Sequence, residues 1–498
     1  MILIWAFIFG VIYAQSPLFT SNQNQYFLHG LANAGFGYLD TDWLANTRDP
    51  TPVFSILVEY TYRLFNSTML YTIYYFLIFG VYLFSMVGIA GTIYDLTNPL
   101  AKLTLLTGLL LVHSAALRYL LSIGAGPDWI FLFEGGLAGQ RILGAVFQPS
   151  SFGVFLILSI YLFLEKRIIL ALVAIGVAVT FHPTYLLTSA ILVFSYLVSE
   201  YQENKIFSEV FKFGLFALII VTPILIYVFG SFGLATSLAN SRAQEILVNY
   251  RIPHHALISE WFNITSLIQV GLIFLALYLI RNSRLFIIIA FGVTSAIILT
   301  TIQILISSNA LALLFPWRIS AILLPIAIAI ILAFIVFKIS TRYSSQLEKN
   351  QKWVILFNLV IIGVLLVIGV VRFSLDLGRR SLSPEYLLFE RIKGQGSEDD
   401  VYLIPLKMQD FRLATGKSAY IDFKSIPYQD SEVLEWYRRN QVAGRFYSQR
   451  KVDCSWFDQM IEKEEISHIV FEKGGRVFTC DSFVLWYEDA NYLVYRKR

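Results

Sequence analysis

Residues 317–352 read WRISAILLPIAIAIILAFIVFKISTRYSSQLEKNQK. From Ile319 to Phe337 the run carries no charge; Lys338, Arg342, Lys349 and Lys352 then follow within one short segment. A helix that crosses a bilayer needs about 20 predominantly apolar residues. Lysine and arginine gathered in the short segment beside it mark the cytoplasmic side. This one stretch therefore predicts both a membrane-spanning helix and its direction.

Working outward, eleven apolar stretches can be marked, at 1–15, 69–92, 103–123, 150–164, 168–181, 184–199, 213–230, 263–281, 285–306, 317–338 and 353–372. With a cytoplasmic N-terminus, the inner segments carry Lys102, Lys166 with Arg167, Lys205 and Lys212, and the cluster quoted above. The segment from Arg281 to Arg284 uses arginine alone. The outer segments between spans contain no lysine. They hold Asp40, Asp42, Arg48, Asp49, Asp128, Glu134, Arg141, His182, Arg242, Arg251, His254 and His255 instead. The chemistry of the chain thus collects on its outer face.

Composition agrees. Of 498 residues, 57% are hydrophobic and only 14% charged, with a mean hydropathy of +0.65. Soluble domains carry roughly 25% charged residues. The net charge of +4 reflects the inner lysines, and no basic cluster of the kind nucleic-acid binding requires is present. The opening residues MILIWAFIFGVIYA lack a positive leader, so a retained first span is expected rather than a cleaved signal peptide. Cys454 and Cys480 both lie in the polar C-terminal part, on the side where a disulfide persists; sequence does not say whether their geometry permits one. No CxxC motif occurs, so a structural zinc site is not expected.

The expected fold class is an all-α polytopic membrane domain of about 11 transmembrane helices over 1–372, with a long first outer loop at 16–68, then a small α/β or α+β soluble domain over 373–498. In that last segment VYLIP (401–405), SAYIDF (418–423) and SHIVFEK (467–473) read as strands, while SEVLEWYRRN (431–440) and DQMIEKEE (458–465) read as helices. Glu488-Asp489-Ala490-Asn491 reads as a polar turn between two aromatic strands.

Three constellations could carry chemistry. In the first outer loop, Asp40 and Asp42 stand two apart beside Trp43, followed by Arg48 and Asp49. A carboxylate at a membrane surface can take a proton from an acceptor hydroxyl or orient a metal. A tryptophan can stack on a sugar or anchor at the interface. The bland alternative is a solvated loop whose Asp49 caps the next helix. PVFSILVEYTYRLF (52–65) has the spacing of a surface helix, with Glu59 and Arg63 four apart. In the second constellation, Arg141, Arg242, Arg251 and Arg318 fall near the outer boundary, where a guanidinium can grip phosphate oxygens or simply pair with an acid. Third, His182, His254 and His255 supply imidazoles that suit a base, a ligand or an interfacial hydrogen bond. Asp128 and Glu134 add carboxylates in the second loop.

The layout resembles the GT-C class of integral-membrane glycosyltransferases, such as protein mannosyltransferases and aminoarabinose transferases. The resemblance rests on a polar pair at Asn24-Gln25, then Tyr26-Phe27, His29-Gly30-Leu31-Ala32, a turn at Gly37-Tyr38, and Pro50 and Pro52 before a helix ending Arg63-Leu64-Phe65. It implies an enzyme in a bacterial inner membrane that moves a sugar from a polyprenyl-phosphate carrier to an extracytoplasmic acceptor, no certain cofactor beyond an optional divalent cation, and lipid bilayer around the protein. Under it Asp42, with Asp40 second, is the expected catalytic carboxylate. Trp43, Arg48, Asp128, Glu134, Arg141, His182, Arg242, Arg251, His254 and Arg318 are expected to bind substrate. The departure is at Asn24-Gln25, where the family places an acid and neither amide can act as a base. That favours an alternative: a non-catalytic protein of the same plan that binds a lipid-linked glycan or serves envelope polysaccharide assembly. The segment FRLATGKSAYIDFK with SEVLEWYRR also resembles bacterial GT-C-like membrane proteins of undefined function. A secondary transporter is a weaker reading, since the spans are almost free of charge apart from Arg118 and show no repeat.

Overall fold

The structure, a computed structural model, describes residues 2–96, 98–233, 237–449, 452–474 and 478–498. All eleven expected apolar stretches are helical. Among the described residues five helices are long and apolar enough to cross a membrane: Met69–Ile93, Phe207–Phe232, Arg284–Leu305, the run Asn309–Arg342, and Gln351–Ser381. Pro99–Val112 and Ala115–Gly124 make a sixth if taken as one span bent by 48°. The bend has a local cause. Ser114 ends one helix and caps the next, its hydroxyl accepting from the Leu117 amide at 3.0 Å. Ile2–Tyr13, Pro149–Leu164, Ile168–Phe181 and Ile264–Leu279 are apolar but shorter. The chain is therefore a helical membrane protein with a small C-terminal sheet.

The chain divides into two compact units. The first comprises Met1–Gln15, Tyr71–Val228 and Leu247–Ser374; the second comprises Ser16–Leu70, Phe229–Ile246 and Leu375–Arg498. The division differs from the linear one read from sequence. The first polar loop belongs with the C-terminal segment.

In the first unit, helix Ser320–Arg342 is the most enclosed. Every residue from Ser320 to Ile330 is buried. One charge pair lies inside this unit beside the bend. Arg118 bonds Glu134 at 3.0 Å and lies 4.0 Å over the Tyr13 ring. His113, at the bend, shares a 2.7 Å hydrogen bond with the Tyr82 hydroxyl.

The second unit is built on a five-stranded mixed sheet. Its strands are β1 (Val401–Leu403), β2 (Ser418–Ala419), β3 (His468–Glu472), β4 (Phe483–Glu488) and β5 (Tyr492–Lys497), in the order β2-β1-β3-β5-β4. β1 runs parallel to β2 and β3; β5 runs antiparallel to β3 and β4. The β4–β5 turn is held by Asp489, whose carboxylate accepts from the amides of Asn491 and Tyr492, both at 2.7 Å. Tyr402, Phe411, Val470 and Val494 form the core with Leu388 and Ile392 of helix Tyr386–Gln395. Cys454, at the start of helix Cys454–Glu464, is disulfide-bonded to Cys480.

The first loop enters this unit through backbone as well as side chains. Gly37, at φ +63°, lies against Gly416, at φ +68°, and the Tyr38 amide donates to the Gly416 carbonyl at 2.7 Å. A Cβ on Gly37 would sit 2.3 Å from that carbonyl oxygen, so only glycine fits. Helix Pro52–Phe65 buries Phe54, Val58 and Thr61 and leaves Ile56, Tyr60, Leu64 and Phe65 exposed. It keeps the expected ion pair between Glu59 and Arg63, at 3.0 Å.

Candidate functional site

The residues singled out by sequence fall into two groups, one in each unit. Asp40, Asp42, Trp43, Arg48 and Arg242 belong to the second unit; Asp128, Glu134, Arg141, His182, Arg251, His254 and Arg318 belong to the first.

Asp42 is fully buried. One carboxylate oxygen accepts from the amides of Leu44 and Ala45, at 2.9 and 3.2 Å. The other accepts from Arg412 Nε at 2.6 Å and the Ala419 amide at 2.9 Å. Arg412 also bonds Asp422 and donates to the Ala419 carbonyl at 2.8 Å. The cluster contains one cation and two carboxylates, none more than 2% exposed. Burial raises the Asp422 carboxyl above its ordinary range, and Arg412 only partly offsets this. For Arg412 burial opposes the charge, but Asp42 and Asp422 outweigh it and hold the guanidinium protonated. These are the surroundings of Asp42, the expected catalytic carboxylate. A carboxylate closed from solvent and holding four hydrogen bonds organises the fold, and is poorly placed to take a substrate proton.

The rest of the first-loop group is equally specific. Asp40 is exposed. Trp43 lies under a guanidinium rather than open to a sugar, with Arg439 Cζ 4.4 Å from its ring. Arg48 is exposed and its amide donates to Glu432 at 2.9 Å. Asp49 accepts from the Thr51 amide at 2.8 Å, just ahead of helix Pro52–Phe65. Arg242 is an exposed helix residue paired with Glu245 at 2.7 Å. Asn24 donates to Asp410, a carboxylate raised above its ordinary range by burial. Gln25 donates to the Tyr428 hydroxyl at 2.9 Å.

In the first unit one expected residue, Arg318, lines a small polar pocket. Its frame is the irregular stretch 125–153, helix Pro253–Ala256 and the 3₁₀ turn Pro316–Ile319. Gly136 passes so close to helix Ser320–Arg342 that a Cβ would meet the Ala321 nitrogen at 2.4 Å. The Leu137 amide there donates to Ser320 Oγ at 2.8 Å. His255 Nδ1 lies 2.5 Å from the Ala138 carbonyl and Gln303 donates to the Ala256 carbonyl at 3.1 Å. Phe315, in the left-handed region at φ 50°, turns the chain so that Trp317 and Arg318 reach the same pocket.

Arg318 is the anchor. Its Nη1 donates to Thr184 Oγ1 and, at 3.2 Å, to His182 Nε2. His182 accepts there as a neutral ring, 3% exposed and set edge-on against Tyr185. Arg318 Nε and Trp317 Nε1 are buried donors with no hydrogen-bond partner. Gln140, His255, Thr300 and Gln303 complete the polar lining, which among the described residues includes no carboxylate. The open space is about 10 Å³, room for one water. Two unmet donors, a fixed cation and no acid give this pocket a positive character.

The other first-unit candidates stand outside that lining. Asp128 is exposed in the turn Pro127–Trp129 and Glu134 is taken by Arg118. Arg141 packs its guanidinium 3.8 Å over Phe131. Arg251 is buried in the π-helical turn Leu247–Arg251. His254 lies beside His255, ring centres 4.1 Å apart. Among the described residues no three His, Cys, Asp or Glu side chains converge as a metal site would require.

Sequence reading missed Arg412, Asp422 and Asp410 in the second unit, and Thr184, Gln140 and Trp317 in the first. For Arg412 and Asp422 there was a signal: each is a lone charge in an apolar run, FRLA and AYIDF. A family model described as a domain of unknown function (DUF6798) matches residues 385–443, a segment that contains Asp410, Arg412 and Asp422. No curated protein matches the chain.

Proposed function

We propose that this membrane protein binds a lipid-linked glycan through its phosphate and, in the leading reading, transfers the sugar as a GT-C-like glycosyltransferase. The ligand is a polyprenyl-phosphate sugar at the extracytoplasmic face of a bacterial inner membrane. The accompanying topology has a cytoplasmic N-terminus, eleven crossings and residues 373–498 outside. The lysine asymmetry of the short segments supports that direction.

One observation carries the proposal. Arg318, steadied by His182 and Thr184, keeps Nε without a partner beside the equally unpartnered Trp317 Nε1, in a pocket lined without carboxylates. Donors held in place before the ligand arrives favour an oxyanion, and the pocket, which now has room for one water, must widen for a phosphate to reach them. A second reading, binding without transfer, draws on the amides at Asn24 and Gln25.

The test uses full-length protein in detergent with a radiolabelled polyprenyl-phosphate sugar. Arg318→Gln should weaken binding about tenfold or more, the worth of one charge-assisted hydrogen bond. Turnover by the wild type marks the protein as a transferase. Binding by the wild type with no turnover selects the second reading. Undetectable binding by a well-folded wild type removes both.

A further inference from the structure

A larger cavity lies elsewhere in the first unit, away from the residues of the polar pocket. It is a groove of about 610 Å³ bounded by helices Pro99–Val112, Ser320–Arg342 and Gln351–Ser381. That volume is within the roughly 300–1,000 Å³ typical of small-molecule sites. Its walls are almost wholly apolar, with Leu100, Ile339, Trp353 and Phe357 among them. The few polar groups have internal uses: Asn358 donates to the Val354 carbonyl at 2.8 Å, and Ser340 to the Phe337 carbonyl at 3.0 Å. From Asn98 to Thr104, and from Trp353 to Val360, the lining advances about 10 Å along each helix at ~1.5 Å per residue. The groove therefore starts at helix ends and runs inward along apolar helices.

Charge decides what fills it. The lining residues at the helix ends are neighbours in sequence of Lys102, Lys338, Arg342, Lys349 and Lys352, all exposed. Asp95 and Glu348 are the nearby acids in sequence, so the segments around the opening are net cationic. Two of the bounding helices belong to runs long and apolar enough to cross a membrane, so hydrocarbon is the medium that meets the walls. An apolar channel whose end residues adjoin cationic segments in sequence suits a hydrocarbon chain that carries an acidic headgroup.

We infer that this groove is a binding site for an anionic glycerophospholipid, one acyl chain lying between the three helices and the phosphate held among Lys338, Arg342 and Lys352. The inference does not depend on the polar pocket or on any transfer reaction. Juxtamembrane Lys and Arg side chains attract anionic headgroups, each changing affinity about fivefold.

The experiment is native mass spectrometry of the full chain released from neutral detergent. The protein is first incubated with equal amounts of phosphatidylglycerol and phosphatidylcholine. Wild type should retain phosphatidylglycerol in preference to phosphatidylcholine. Ser340→Trp, which fills the groove, should lose that lipid. The triple variant Lys338→Gln, Arg342→Gln, Lys352→Gln alters only exposed side chains; it should keep a lipid but bind phosphatidylglycerol and phosphatidylcholine alike. Equal retention of those two lipids by wild type overturns the inference. A phosphatidylglycerol preference unchanged in the triple variant overturns it also, whether or not Ser340→Trp folds.

Discussion

Arg412 Nε bonds Asp42 Oδ2 at 2.6 Å across 370 residues of sequence, and both side chains are essentially closed to solvent. This pair ties the first polar loop to the C-terminal segment. It also makes a distinction that activity assays alone would miss. If Asp42 organises the fold, its loss acts on stability before it acts on any reaction.

Asp42→Asn should therefore destabilise the second unit by about 3–5 kcal/mol, the usual cost of breaking a buried pair from one side. Arg412→Met should be worse, because Asp42 and Asp422 would then be left together without a cation. Thermal unfolding of the full chain in detergent, followed by tryptophan fluorescence and limited proteolysis, measures both. An Asp42→Asn protein that unfolds like wild type yet loses sugar transfer would return the catalytic role to Asp42.

The glycine pair gives an independent check on the same association. Gly37→Ala places a methyl 2.3 Å from the Gly416 carbonyl oxygen, at a backbone φ of +63°. The strain, with loss of the Tyr38-to-Gly416 hydrogen bond, should cost about 2–3 kcal/mol. Gly35→Ala is the control: it shares a positive φ, 76°, but its Cβ would meet nothing within 4 Å. It should cost about 1 kcal/mol. Equal unfolding temperatures for the two variants would count against the close approach.

Much of the fold was legible because its signals are local. Apolar length located the helices, and alternation with turn residues located β1, β3 and the Asp489 turn. The grouping of the loop 16–68 with the C-terminal segment was not legible, because it is carried by Asp42–Arg412 and Gly37–Gly416, contacts that leave no trace in a short window. Crossing number was only partly legible: helices such as Ile168–Phe181 are apolar enough but short, and length alone cannot count them. Of the candidate site, Arg318 and His182 were found by position at span ends. Trp317 was passed over because interfacial aromatics are common. Two unmet donors side by side become visible only when the chain is folded.

The disulfide is a third handle on the second unit. Cys454 and Cys480 close a loop with a sequence separation of 26. Replacing both by serine should lower stability by roughly 3 kcal/mol. Reductant should shift the wild type toward the variant and leave the variant unchanged. A variant as stable as wild type would mean that the bridge adds nothing to the fold.

Acid should act on the same unit through His468. The ring is 3% exposed, stacked 4.5 Å from Tyr402 and edge-on to Trp486 at 5.4 Å. Burial, helped by Arg496 and opposed by Asp400, lowers its pKa from 6.5 to about 4. The folded state therefore holds the neutral ring, whereas the unfolded chain gains a proton near pH 6.5. Stability from this group is complete above that pH and falls as the pH drops toward about 4, by on the order of 2 kcal/mol. Glu435 adds a second, more acidic window. Bonds from Arg438 and Arg439 lower its pKa from 4.5 to about 2, against the opposing effect of burial. Its contribution is present above pH 4.5 and lost below it. His468→Phe keeps the ring stack without a titrating group and should flatten the upper window alone; Glu435→Gln should flatten the lower one alone. Unfolding temperatures measured from pH 7.5 to 3 separate the two. An upper window that persists in His468→Phe would assign the acid sensitivity to another group.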